Sequence, residues 1–350
     1  MKFNNKCNNI DSSVEYDYSF ARSFRRASVS VYYFVFMLLL ILLFPFYACS
    51  NEFSDEQEIN DKKVCIMIVP DIQNYTDTDN RFVYLDSIAG YYCANKNSID
   101  VVMQVGDLTN NNLVWQYENA YEHLFSKFDD SDQLVFCLGN HDYGNNGRSD
   151  IRMSNFPDFM MPPYDIRMKE SKWDNYVRYI ELGGIKYGIL VLEFCTRNDV
   201  LIWANDVISA DNETPFIILT HTFLDQNGEM FDAANPDIVN KGSSHKKYQM
   251  GGDYKNDSRE IFDKIIYNNT NVRLVVCGHC LTPSYINVHS ENNVAGKPVH
   301  MIEVNYQHYS EGGRGYVGIL DVEGDAYRIR SYSTYDNKFG STDIAFGSIN

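Results

Sequence analysis

Positive charge is in short supply along this 350-residue chain, where 30 Lys and Arg stand against 47 Asp and Glu, for a net charge of −17. A surface this acidic repels polyanions, which argues against nucleic acid as the main partner, because such binding depends on neutralising phosphates with basic side chains. Metal ions alone would make one site locally positive on such a surface. A disulfide framework is also lacking. Of the eight cysteines, Cys65, Cys137, Cys195 and Cys277 lie in or beside apolar runs, where a free thiol behaves as a small hydrophobe. Cys277 and Cys280 form one C-x-x-C with no second to complete a zinc ribbon. No internal repeat is present, and apolar length is concentrated in one stretch, 29–47.

That stretch bears on where the protein works. Arg22, Arg25 and Arg26 precede it, and Phe46-Tyr47-Ala48-Cys49-Ser50 closes it. A basic region, an apolar region and a small residue before Cys resemble a bacterial lipoprotein signal, with Cys49 as the lipidated first residue. Phe46 and Tyr47 are bulkier than that pattern prefers. The rival reading is an uncleaved membrane anchor, since about 18 apolar residues can span a bilayer. Either way residues 50–350 lie outside the cytoplasm, in the cell envelope, periplasmic or at the cell surface. Residues 49–62 carry Glu52, Asp55, Glu56 and Glu58 and read as an acidic, flexible linker. Without residues 1–48, which hold five basic and three acidic side chains, the charge becomes −19. The expected organisation is a signal or anchor at 1–48, the linker, one folded domain at 63–335, and a Gly- and Ser-rich, loosely held tail at 336–350. Oligomeric state is not legible.

Inside the domain, five short polar blocks each follow an apolar run. Asp71-Ile72-Gln73 follows 64–69, Gly106-Asp107 follows 101–105, and Gly139-Asn140-His141-Asp142 follows 134–138. Thr220-His221-Thr222 follows 216–219, and Gly278-His279 follows 272–277. Short β-rich runs alternating with longer amphipathic stretches indicate an α/β sandwich. The carboxyl ends of strands line the ligand crevice of such sheets. Asp, Asn and His delivered there together read as a metal cluster.

The ordered set resembles the calcineurin-like metallophosphoesterase superfamily, whose signature runs D-x-H, G-D, G-N-H-[DE], a lone His, and G-H-x-H. The resemblance spans about 64–321 and implies a single-domain, four-layer α-β-β-α sandwich with divalent cations, a pair of them drawn from Mn²⁺, Fe²⁺, Zn²⁺ or Mg²⁺. It assigns Asp107, Asn140, His221 and His279 to one metal position, with Asp107 bridging to a second that includes Asp71. Two family ligands are missing, and both belong to that second position: Gln73 stands for the first His and Leu281 for the last. The chain therefore resembles a branch opening V-P-D-x-Q-N-Y-T, here 69–76, with a late Tyr306-Gln307 before Gly312-Gly313-Arg314-Gly315. A Gln oxygen is a harder, weaker donor than imidazole, so the altered position suits Mg²⁺, Mn²⁺ or Ca²⁺ better than Zn²⁺.

The activity implied is hydrolysis of a phosphomonoester or phosphodiester by a metal-bound hydroxide. His141 would act as general acid or charge stabiliser, with Asp142 orienting or electrostatically supporting it. The alternative is a catalytically weak module of the same fold that captures phosphorylated glycans or lipids at the envelope. Gln73 is open between ligand and loop hydrogen bond, and Arg314 between phosphate contact and surface turn. His300, Asn305, Gln307 and His308 lie late enough to approach the depleted position, with both histidines read as satisfied or exposed. His245 with Lys246 and Lys247 reads as a solvated loop.

The coarse order is strand 63–69, helix 79–96, strand 99–105, helix 113–128, strand 134–138, and an irregular insertion at 145–175. A hairpin follows at 176–182 and 185–194, then helix 198–210, strand 215–220, loop 222–256, helix 257–268 and strand 271–277. Strands at 299–305, 315–321 and 326–333 close the domain. Both long loops are candidate lids.

Overall fold

Alternation along the first apolar run sets the architecture. In the computed structural model, which describes residues 63–128, 134–169, 171–235 and 244–347, that run is β1, Val64–Val69. Ile66 and Ile68 point to a core between two sheets, while Met67 and Val69 point to a core beneath helices. A strand sends successive side chains to opposite faces, so a run buried on both must be apolar throughout.

β1 pairs in parallel with β2, Val101–Gln104, which pairs in parallel with β3, Leu134–Phe136. The short edge strand β4, Ile166–Arg167, starts the second sheet beside the hairpin β5–β6, Tyr176–Leu182 and Ile185–Val191. β7, Phe216–Leu219, and β8, Val272–Cys277, run parallel in the middle of that sheet. β9, Ile286–Asn292, and β10, Pro298–Val304, complete it. β11, Tyr316–Glu323, β12, Ala326–Ser333, and β13, Lys338–Gly347, return to the first. The orders are β13-β12-β11-β1-β2-β3 and β4-β5-β6-β7-β8-β10-β9.

Helices cover both outer faces. The one-turn helix α1, Gln73–Thr76, follows β1 directly. α2, Phe82–Asn95, buries Tyr84, Leu85, Ile88, Ala89 and Tyr92, a stripe one turn apart, and with α3, Val114–His123, covers the first sheet. α4, Asn198–Ala210, buries Val200, Leu201, Ala204 and Ile208 against the second sheet. α5, Ser258–Ile261, starts in a capping box: Asp257 Oδ1 accepts from the Glu260 amide at 3.0 Å, and Glu260 Oε2 from the Asp257 amide at 2.9 Å. It continues through a π-type turn, Phe262–Ile266. The result is the four-layer α-β-β-α sandwich.

Three expectations change. The tail is not loose: 338–347 is β13, paired with β12 from Ala326↔Gly347 to Ser333↔Lys338. Its Gly340, Thr342, Ile344 and Phe346 fall on one half-covered face, and Phe346 stacks on Tyr327 with centroids 5.2 Å apart. β9 arises where no strand was expected, as the antiparallel partner of β10. His245 is buried, not solvated: its Nδ1 lies 2.7 Å from the Asn256 carbonyl and its ring packs edge-on against Phe194. Burial holds its pKa down to about 4. The proposed signal, Cys49 and the linker lie outside the described residues.

Candidate metal centre

The five blocks converge at the carboxyl ends of strands from both sheets. β1 delivers Asp71, β2 Asp107 and β3 Asn140; β7 delivers His221 and β8 His279. The turns that carry them are crowded. Gly106 has φ +98°, and a side chain there would sit 2.7 Å from His221 Nδ1. A Cβ on Gly139 would run into the Asp107 carboxylate and lie 2.7 Å from the His221 ring. Asp107 and His279 themselves take left-handed backbone, at φ 53° and 73°. Such conformations are costly away from glycine and persist where surrounding contacts enforce them.

Four donor atoms meet. His221 Nε2 lies 3.1 Å from Asn140 Oδ1, 3.3 Å from Asp107 Oδ1 and 3.1 Å from His279 Nδ1. Among the described residues, ligating atoms of Asp107, His221 and His279 all lie within 4.8 Å of one another. The outer nitrogens are spoken for. His221 Nδ1 donates to the Val105 carbonyl at 2.7 Å, which leaves Nε2 with its lone pair facing inward. His279 Nε2 is 3.4 Å from the Tyr248 hydroxyl, leaving Nδ1 inward. Fixing one ring nitrogen to present the other is how metal-ligating histidines are held. The donor set of two imidazoles, a carboxylate and an amide oxygen fits a divalent cation such as Mn²⁺, Fe²⁺ or Zn²⁺.

Electrostatics agree with that fit. Burial pushes the Asp107 carboxyl up, yet His221, His141 and His279 hold it well below the usual range. Burial pulls His221 down, but Asp107 outweighs it and lifts the imidazole to about 9. Asp71 is pushed up to about 7 by burial. The buried carboxylates therefore favour a positive charge at this point, carried by a protonated His221 or, with that nitrogen deprotonated, by a bound cation.

Asp71 is held from both ends, with Oδ1 accepting from the His279 amide at 3.3 Å and Oδ2 from Asn305 Nδ2 at 3.1 Å. Gln73 Nε2 donates to Asp107 Oδ2 at 3.1 Å and also to Gln307 Oε1, while Gln73 Oε1 is buried with no partner. His141 stands beside the cluster. Its amide donates to Asp107 Oδ1 at 2.8 Å, and its Nδ1 donates to the Asn110 carbonyl at 2.8 Å.

Two expected roles give way. Asp142 does not orient His141, although its charge is among those that raise the pKa of that imidazole, the electrostatic support that was the other expectation. Its carboxylate accepts from the amides of Gly139, Leu108 and Thr109 and from the Thr109 hydroxyl at 2.9–3.0 Å, stapling the Asp107 and Asn140 turns together. Buried at 0 % exposure, it has no reach left for the imidazole. Arg314 faces Asp336 in a two-pronged pair at 2.9 and 3.0 Å, with Tyr335 below its guanidinium, so its fork is taken. His300 is also elsewhere, bonded to Ser290 Oγ at 2.7 Å and packed on Tyr327.

Two residues of the site escaped the sequence reading. Phe194, fully buried, packs against His221, His245, His279 and Tyr248 and seals the back of the cluster. Tyr248 comes from the loop at 222–256. Neither sits in a polar block after a strand, so no local signal marked them.

A sequence model of the calcineurin-like phosphoesterase family matches residues 66–283. The chain belongs to that family. It carries the metallophosphoesterase fold around a candidate metal-binding group, Asp107, His221 and His279. An uncharacterised protein of Bacillus subtilis (strain 168), YvnB, is 24% identical over 259 residues, covering 70% of this chain. The chain spans 18% of the length of that relative. Among solved structures, the purple acid phosphatase of yellow lupin seeds is similar at a TM-score of 0.49 and 11% identity, over 81% of this chain and 54% of that chain. GAP50, described as the anchor in the inner membrane complex of Plasmodium, is similar at 0.47 and 11%, over 82% and 90%. Both likenesses are distant.

Proposed function

We propose that this phosphoesterase is tethered to the cell envelope and hydrolyses a phosphomonoester or phosphodiester encountered outside the cytoplasm. The observation that carries the chemistry is the convergence of Asp107 Oδ1, Asn140 Oδ1, His221 Nε2 and His279 Nδ1 beside His141. These four residues, with Asp71 and Gln73, would hold the divalent ions. Bound there, such ions neutralise phosphoryl oxygens and lower the pKa of the attacking water.

The chain's own part is placement and proton handling. The Asn110 carbonyl fixes His141 Nδ1, and Nε2 makes no hydrogen bond among the described residues. That leaves Nε2 to carry a proton toward the leaving-group oxygen. Phe194 keeps water from the rear of the histidine pair, so the charges act in a low-dielectric pocket. What supports the tether is sequence alone: Arg22, Arg25 and Arg26, the apolar stretch 29–47, Cys49 and the acidic residues after it.

The test is hydrolysis of aryl and alkyl phosphomonoesters and phosphodiesters by protein loaded in turn with Mn²⁺, Mg²⁺ or Zn²⁺. Turnover should need metal and vanish in Asp107→Asn. His141→Ala should slow alkyl esters by about 10²–10⁴-fold. It should slow aryl esters far less, because a good leaving group needs no acid. Equal losses on both would remove His141 as the acid. Absence of turnover with every ion, from folded and metal-loaded protein, would favour the module that captures phosphorylated glycans or lipids.

A further inference from the structure

The amide of Gln73 occupies an unusual position. Its two N–H bonds go to two oxygens from distant parts of the chain, Asp107 Oδ2 at 3.1 Å and Gln307 Oε1. Its own oxygen, on a side chain only 2 % exposed, has no partner at all. A carboxamide turned by half a rotation keeps its shape and exchanges oxygen for nitrogen. In that orientation Gln73 Oε1 would face Asp107 Oδ2 and Gln307 Oε1. Three oxygens brought together in a buried space repel one another unless a cation lies between them.

The surroundings hold that arrangement in place. Asn305 donates to Asp71 Oδ2 at 3.1 Å and accepts from the Gln307 amide at 2.9 Å, so one turn after β10 grips both Asp71 and Gln307. Asn74 Nδ2 donates to the Gln307 carbonyl at 3.0 Å, tying the same turn to the Gln73 helix. Leu281, where the family places its last imidazole, is 39 % exposed and has no donor atom.

We propose that Gln307, reaching in from the far end of the chain, is a metal ligand. With Gln73 Oε1, Asp71 and Asp107 it builds an all-oxygen position in place of the one the family furnishes with two histidines. The centre is then chemically divided. The side with His221, His279, Asn140 and Asp107 accepts a borderline ion, and the all-oxygen side accepts a hard one, Mg²⁺, Mn²⁺ or Ca²⁺, and discriminates against Zn²⁺. The inference rests on the metal-dependent reading of the same cluster, so its test separates the two.

The experiment is metal titration of the full chain in detergent, reading bound ions by mass spectrometry and affinities by calorimetry. Wild type should take two Mn²⁺ but only one Zn²⁺. Gln307→Leu should keep one Zn²⁺ and one Mn²⁺ while its second Mn²⁺ weakens by at least about tenfold. Gln307→Glu, which keeps an oxygen and adds charge, should tighten the second Mn²⁺ and guards against misfolding in the leucine variant. Gln73→His should raise Zn²⁺ binding towards two. Two Mn²⁺ held with unchanged affinity in Gln307→Leu would overturn the assignment alone. One Mn²⁺ in wild type, lost in His221→Ala, would also overturn it while sparing the parent reading. Wild type that binds no ion would overturn both.

Discussion

At the scale of single residues, the site divides into groups that present lone pairs and groups that hold them still. Asp107, Asn140, His221 and His279 were legible because each follows an apolar run and carries an atom fit for coordination. Asp142 occupied the same legible block, and while its charge acts on His141, its hydrogen bonds go elsewhere. A motif places a residue near a site without saying which way its side chain turns. Four donors converge on the Asp142 carboxylate, from the turns at 108–109 and 139. Burial, followed by the neighbouring Asp107, pushes its pKa up to about 6. Replacing it by Asn keeps the shape but turns one acceptor into a donor facing N–H groups. Asp142→Asn should therefore destabilise the fold by about 1–3 kcal/mol, read as a lower urea midpoint, and should weaken metal binding together with turnover. Loss of turnover with stability and metal affinity intact would return Asp142 to the chemistry. Phe194 and Tyr248 were illegible for a different reason. An aromatic ring beside a histidine is set by tertiary packing, and nothing within ten residues of either announces it.

Among the elements, strand period 2 and helix stripes located nearly every layer, since β1 and β7 are continuous apolar runs and β2 and β8 are interrupted only by Gln104 and Arg273. The elements that were missed lie at the sheet edges. β9 reads Ile-Asn-Val-His-Ser-Glu-Asn and β13 is half exposed along its length, so neither carries a buried run. Alternation in β13 is present but faint, with Thr342, Ile344 and Phe346 inward and Asp343 and Ala345 outward. It still matters to stability. Asp343 pairs with Arg328 at 2.6 Å, Phe339 meets Tyr332 edge-on at 5.0 Å, and Phe346 covers Tyr327 and His300. Cross-strand pairs of this sort contribute about 0.2–1 kcal/mol each. Ending the chain after Asn337 should lower the thermal midpoint and promote self-association through the uncovered β12 edge. A truncated protein that melts and sediments like the full chain would show β13 to be dispensable.

For the molecule as a whole, the family and the layer order were legible because they rest on repeated, local patterns. The proposed all-oxygen position was legible only in part: Asp71 and Gln73 follow a strand, but singling out Gln307 among the late residues depends on a turn after β10 meeting a helix after β1. Placement in the cell rests on the N-terminal pattern, and it has a direct test. If Cys49 carries the lipid, Cys49→Ala should abolish labelling by a fatty-acid probe and leave an unprocessed precursor. Unchanged size and unchanged membrane association would instead favour an uncleaved span at 29–47.

The hydrogen bonds from Asn305 to Asp71 and from Gln73 to Gln307 each join residues 234 positions apart. Contacts so far apart in sequence come at the end of folding, since closing the intervening loops costs entropy that earlier contacts must first offset. No half-made chain can present this centre, because its final ligand lies beyond every strand but three. Ion capture is thus the last act of maturation and not its seed. If the chain crosses a membrane unfolded, it meets its ions on the far side.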